Sequence, residues 1–132
     1  MDFIADTTLL VGLWRRQDWA VNFASENPDK VLGLSWVVLG EFWHGAIRAG
    51  HDRRTVQAFL DMGIPLLDPA PVIKHYANLC AVLQDQPDYR RTGQNDLWIG
   101  AVALAFDRPL VTRNRRHFDS FPDLKLLVLG SG

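Results

Sequence analysis

The stretch Gln94-Asn95-Asp96-Leu97-Trp98-Ile99-Gly100-Ala101-Val102-Ala103-Leu104-Ala105-Phe106, followed closely by Pro109-Leu110-Val111-Thr112, decides the fold. The first part is too long for a strand and apolar on nearly every side, which predicts a buried helix over residues 97–106. Gly100 inside it fits close packing rather than a break. The second part is a short apolar run that reads as a buried strand over residues 109–112. A buried helix feeding a buried strand is the repeating unit of a parallel α/β sheet.

The same alternation extends in both directions. Residues 3–5 read as a first strand, ended by Asp6-Thr7-Thr8, and Leu9, Leu10, Leu13 and Trp14 then recur at helical spacing. Residues 19–25 continue that helix or begin a second one, and Asn27-Pro28-Asp29 breaks the chain. A second strand is expected at 31–35, with Ser35 capping a helix that carries Val37, Val38, Glu41, Phe42 and Ile47 and ends at Gly50. Residues 52–62 form an amphipathic helix. Residues 64–67 form a third strand, which Pro65 places at an edge or a strand start. Pro71 suits the first turn of a helix running to about residue 84. Residues 86–93 are a polar loop, 113–121 a basic connection of one or two helical turns, and 125–129 a last strand. The expectation is one domain over 1–132, an α/β layer sandwich with a mostly parallel sheet of four to five strands.

Composition bounds the function. The chain has 132 residues and a formal net charge of −1, which excludes attachment to nucleic acid through bulk charge. Hydrophobic residues make up 48% and charged residues 22%, so the chain is not an acidic disordered tail. Cys80 is the only cysteine, which excludes an intrachain disulfide and a cysteine zinc site and suits a reducing cytoplasm. The N-terminus lacks a basic leader region. Residues 31–47 are interrupted by Glu41 and His44, and fall short of the roughly 20 apolar residues of a membrane span.

The acids are 13 Asp and only 2 Glu, and three of them stand out. Asp6 follows the first strand and precedes a helix. It has two readings: an N-cap, or a ligand group at the carboxyl edge of a parallel sheet, where such sites lie. Asp96 is either a cap or a first-turn acid at the mouth of the buried helix, with Asn95 an equally good cap. Glu41 lies among Leu39, Gly40, Phe42 and Trp43, where an unpaired carboxylate is costly. It needs an Arg partner, a solvated stripe shared with Arg48, or a function. Three convergent carboxylates call for a cation, and hard oxygen ligands suit Mg2+ or Mn2+. Such a site serves phosphoryl transfer or nuclease chemistry.

Residues 112–119 place Arg113, Arg115, Arg116 and His117 at the same sheet edge as Asp6, where a phosphate backbone needs cations. Arg90 and Arg91 extend this basic rim. Thr112 and these five Arg are the expected RNA contacts. No zinc spacing links His44, His51 and His75. His44 is expected to be partly buried and His75 exposed. Trp14, Trp19 and Phe59 exceed core needs and suit a dimer or partner contact.

Asp6-Thr7-Thr8 after a first strand, Glu41 in a helix, Asn95-Asp96-Leu97-Trp98-Ile99-Gly100-Ala101, and Thr112-Arg113-Asn114 followed by Phe118 together resemble the PIN-domain family. The likeness spans nearly the whole chain in order and spacing. Within that family, the small size is similar to the VapC ribonuclease toxins of toxin–antitoxin pairs. The resemblance implies a three-layer Rossmann-like fold and a Mg2+- or Mn2+-dependent endoribonuclease. It implies Asp6 and Asp96 as main metal ligands and Glu41 as a third acid that binds metal or orients water. It also implies a homodimer, an RNA substrate and a cognate VapB-like antitoxin. One departure is visible: where the family often carries a fourth acid, this chain has Asn114 and His117, with Asp119 shifted by two residues. Asn114 can still ligate or hold water.

Two other function classes compete. A PIN-like module that only binds RNA or protein is compatible with the missing fourth acid. A phosphotransfer domain with Asp6 as nucleophile is not supported. Thr8 stands where a second Asp would be needed, and Arg113 and Arg115 follow the fourth strand where a receiver-like site wants a Lys.

Overall fold

A computed structural model describes residues 1–130. The strands are β1 (Phe3–Ala5), β2 (Leu32–Ser35), β3 (Ile64–Leu66), β4 (Leu110–Thr112) and β5 (Leu126–Val128). The helices are α1 (Thr7–Trp14), α2 (Asp18–Glu26), α3 (Trp36–Arg48), α4 (Arg53–Leu60), α5 (Ile73–Leu83), α6 (Gln94–Phe106) and α7 (Arg115–Phe118), with a 3-10 turn at Tyr89–Arg91. The five strands form one sheet in the order β3-β2-β1-β4-β5, and every pair is parallel. The fold matches the expected parallel α/β sandwich.

The register explains where the core lies. Ile4 pairs with Gly33 on one side and Leu110 on the other, and Ala5 pairs with Val111. Ile4, Ala5, Leu110 and Val111 are all fully buried, because a central parallel strand is covered by helices on both faces. Helix α1 packs with α2 and α3, and α5 packs with α6, which also touches β1 and α7. Helix α6 buries Leu97, Ile99, Ala101, Val102 and Ala103, as its all-round apolar sequence requires.

Gly100 serves close approach. A Cβ there would lie 2.5 Å from Phe121 Cδ2, and the Phe121 ring is itself buried. Gly100→Ala is therefore expected to destabilise the fold by about 1–2 kcal/mol, overpacking outweighing the helix-propensity gain. Urea denaturation of the two proteins checks this.

Several local expectations change. Residues 15–17 separate α1 from α2, with Arg16 at a φ of 54°, so residues 19–25 belong to a second helix. Pro71 lies before α5 rather than in its first turn. Ser35 and Asp52 cap α3 and α4 through their side chains, as the sequence suggests for Ser35. Neither Asn95 nor Asp96 caps α6. Gly93 holds that position without a side-chain bond, and Asp96 sits in the first turn. Strand β3 is an edge, with Pro65 opposite Leu34. Among the described residues no helix is long and apolar enough to cross a membrane.

Candidate active site

Strand order reverses between β1 and its neighbours β2 and β4, and the chain leaves β1 and β4 at the same edge. Crevices outside such carboxyl ends are where open parallel sheets hold ligands. Asp6 follows β1 directly and is only 4% exposed. It occupies the N-cap position of α1, but its bonds exceed those of a cap. Asp6 Oδ1 accepts from the Thr7 backbone N–H at 2.8 Å. Asp6 Oδ2 accepts from the Thr8 hydroxyl at 2.9 Å and from the Thr112 hydroxyl at 2.7 Å. Three donors from two chain segments therefore fix both oxygens of one carboxylate.

Glu41 is half-buried on α3 and has no ion-pair partner among the described residues. Its Oε1 accepts from the Thr7 hydroxyl at 2.6 Å. Thr7 thus joins Asp6, through its N–H, to Glu41, through its hydroxyl. No Arg pairs with Glu41 among the described residues; it lies on the open strip of α3 that also carries the exposed His44, Gly45 and Arg48, so the stripe reading holds beside the Thr7 bond.

Asp96 completes the group from α6. Burial pushes its carboxyl above the usual range; the neighbouring His117 pulls against that, and the negative charges of Asp6 and Glu41 push it further up. Asp96 therefore lies within electrostatic reach of both Asp6 and Glu41. A carboxyl whose folded-state pKa is raised binds its proton more tightly when folded. Its contribution to stability is fully present below the unfolded value, about 3.9 for Asp, and is lost as pH rises through the folded value. Asp96→Asn is therefore expected to melt at a temperature equal to or above that of the parent protein at pH 7 in EDTA. The difference is expected to shrink as pH falls below about 4. Thermal melts across that pH range check both statements.

His117 Nδ1 lies 3.0 Å from Asp96 Oδ2. Asp119 instead faces Arg115 across 3.7 Å on the surface. Of the two candidates for the place of the fourth acid, His117 therefore reaches the site. Asn114 is half-buried, and its backbone N–H donates to the Thr112 hydroxyl at 3.0 Å.

Thr112 corrects an expectation. It is fully buried with its hydroxyl committed to Asp6, so it shapes the site and is not available to touch RNA. Arg113, Arg115 and Arg116 are exposed beside the site, and Arg90 and Arg91 are exposed on the 3-10 turn just ahead of α6. His44 is exposed rather than partly buried, and His75 is exposed as expected. Trp14 packs against Phe42, Phe59 and His51 with ring centroids 5.1–5.9 Å apart. Sequence reading gives the Thr7 and Thr8 hydroxyls no role, and gives Thr112 a different one. The signal was the Asp-Thr-Thr run and a Thr ending the fourth strand.

The donor types suit a hard divalent cation: Asp6 and Glu41, linked through Thr7, and Asp96 near them offer carboxylate oxygens. Among the described residues no three Asp, Glu, His or Cys groups stand close enough to form a ready-made cage. Mg2+ does not require one, since it keeps several waters and takes one or two carboxylates. The residue types present fit such an ion, for which Asp6 and Asp96 would be the carboxylates to serve.

No protein-family model matches the chain. It is 25% identical over 130 residues to Ribonuclease VapC1 of Haemophilus influenzae (strain R2866), covering 95% of this chain and 96% of that protein. Its fold is similar to a chain in the VapBC-1 structure from nontypeable Haemophilus influenzae, with a TM-score of 0.80, 25% identity, and coverage of 97% and 98% of the two chains. It is also similar to a chain in VapBC2 from Rickettsia felis bound to a promoter DNA fragment, with a TM-score of 0.80, 23% identity, and coverage of 98% and 100%. In sequence this chain is similar to a protein named Ribonuclease VapC1, and in fold to chains of VapBC structures.

Proposed function

We propose that the chain is a metal-dependent endoribonuclease and the toxin of a toxin–antitoxin pair. The observation that carries this reading is buried Asp6 at the carboxyl end of β1, fixed by Thr7, Thr8 and Thr112 and joined through Thr7 to Glu41, with Asp96 within electrostatic reach and the arginines of the β4–α7 segment beside it. The full-length likeness to a protein named Ribonuclease VapC1 supports the same reaction.

Asp6 and Asp96 would hold the ion, and Mg2+ or Mn2+ bound there supplies charge for the developing phosphoryl oxygens and acidifies the attacking water. The chain's own residues do the rest. Thr7, Thr8 and Thr112 fix the lone pairs of Asp6, so little reorganisation remains when substrate arrives. Thr7 occupies one oxygen of Glu41, and the other orients the attacking water and accepts its proton. Water adds to phosphorus in line, the bond to the leaving ribose oxygen breaks, and that oxygen takes up a proton. Arg113, Arg115 and Arg116 bind the flanking phosphates, with Arg90 and Arg91 further along the rim. Asn114 holds water or phosphate at the place where a fourth acid is missing, so one metal suffices.

The expected partners are RNA, a VapB-like antitoxin and a second copy of the chain. Both solved neighbours described above are VapBC structures. Exposed Ile47, Ile64, Leu67 and Ile73 supply apolar surface for such contacts.

Cleavage of single-stranded and structured RNA with Mg2+ or Mn2+, beside an EDTA control, tests the reading. The expected result is divalent-dependent cleavage that Asp6→Asn and Asp96→Asn abolish. Cleavage that survives both substitutions without metal would sink it. The His117 contact to Asp96, in place of an acid, favours one second reading, a PIN-like module that binds RNA or protein without cutting it. RNA binding with no cleavage under any divalent ion would select that reading.

A further inference from the structure

Beside the carboxylates lies a cavity of about 460 Å3, lined in part by Thr8, Val11, Gln17, Trp19, Arg113 and Asn114. Its size falls within the roughly 300–1,000 Å3 of small-ligand sites. Trp19 and Val11 form apolar wall, and Gln17, Asn114 and Arg113 form a polar rim. The cavity shares Thr8 with Asp6, so its occupant sits next to the reacting phosphate.

Arg113 is unusually constrained for an exposed arginine. Its guanidinium lies over the Trp19 ring, 4.6 Å from the ring centroid. Its backbone N–H donates to the Thr8 hydroxyl at 3.2 Å. A Cβ at Gly130 would stand 2.9 Å from its Cζ. Trp19 is equally placed: its ring crosses α1 over Gly12, where a Cβ would meet it at 2.5 Å. Trp19 Nε1 is the buried side-chain polar atom left without a hydrogen-bond partner among the described residues. A residue serving only as core filler would avoid such an orphan donor.

We propose that this cavity is a nucleotide subsite, taking the unpaired base next to the scissile phosphate onto the Arg113 guanidinium where it lies over Trp19, with the N–H groups of Arg113 toward the adjoining phosphate. The proposal rests on the ribonuclease reading and adds to it where the substrate's base goes. Single-stranded RNA is recognised by bases splayed onto aromatic and guanidinium planes. A fixed arginine at the mouth supplies the matching charge for phosphate. A second aromatic pair, Trp36 and Trp98, meets edge-to-face at 5.8 Å and borders Glu41 and His44 instead.

The test uses the full chain labelled with 15N. It has five tryptophans, and Trp19→Phe identifies the Trp19 indole signal. AMP, GMP, CMP and UMP are titrated separately, with ribose 5-phosphate as the arm lacking a base. The expected result is a saturable shift of the Trp19 signal by at least one nucleotide, with ribose 5-phosphate roughly tenfold or more weaker. Arg113→Lys is expected to weaken both nucleotide and sugar phosphate, and as an exposed residue it leaves the fold intact. Trp19→Phe is expected to narrow the gap between them. Equal binding of ribose 5-phosphate and all four nucleotides, or no response at Trp19, would overturn the subsite. Wild-type RNA cleavage is measured on the same preparation. Cleavage without a Trp19 response removes the subsite alone, whereas a Trp19 response without cleavage removes the ribonuclease reading.

Discussion

Asp6→Asn is expected to lower metal-dependent RNA cleavage by about a hundredfold or more, with little change in folding. Charge stabilisation by a bound metal is worth several kcal/mol in the transition state, and each 1.36 kcal/mol is tenfold in rate. Asn keeps an acceptor for the Thr7 N–H that now bonds Oδ1. Its NH2 group would face the Thr8 and Thr112 hydroxyls that now donate to Oδ2. Both hydroxyls can turn to accept instead, so the local structure survives while the charge is lost. Initial rates over a Mn2+ series, with a thermal melt of each protein, separate the two effects. A variant that folds normally and still cleaves within a few fold of the parent would remove Asp6 from the metal site.

Phe118→Ala is expected to destabilise the protein by about 3–5 kcal/mol, the range for deleting a fully buried aromatic side chain. Phe118 is 1% exposed and packs edge-to-face on Phe121 at 5.4 Å. Helix α7 has only four residues, too few to be stable without tertiary packing. Phe118 is thus what ties the His117-bearing turn to the core. The same substitution is expected to free His117 from Asp96 and to reduce cleavage as well. Urea midpoints and cleavage rates on one preparation test the link. A loss below about 1 kcal/mol would show that the turn is held by other contacts.

The alternation of strands and helices was legible because burial writes itself into local sequence. Residues 97–106 lack a polar face, and the observed α6 is buried accordingly. Glu41 stood out for the opposite reason, as a carboxylate among apolar neighbours, and Asp6 and Asp96 by their places after a strand and at the start of a buried helix. What stayed hidden depends on partners distant in sequence. The Thr112 hydroxyl reaches Asp6 across 106 residues, so Thr112 looked like a rim residue. Trp19 meets Arg113 only after α2 folds back on α1. His44 has aromatic neighbours in sequence, yet the helical turn places it on the same open strip of α3 as the exposed Gly40 and Gly45. The cap of α6 was misread because Gly93 holds that position without any side chain to mark it.

The bond between Asp6 and Thr112 also bears on how the protein comes into being. Strand β1 is made first, but one of its two neighbours, β4, is among the last elements in chain order. Long-range parallel pairing is slow to form, since closure entropy precedes its reward. During translation, Asp6 therefore spends its early life without the hydroxyl that fixes it and without Asp96 opposite. Until Thr112 has emerged, a chain being made on the ribosome cannot complete the hydrogen bonds that fix Asp6. On the ribonuclease reading proposed above, cleavage is therefore expected only after β4 has joined β1.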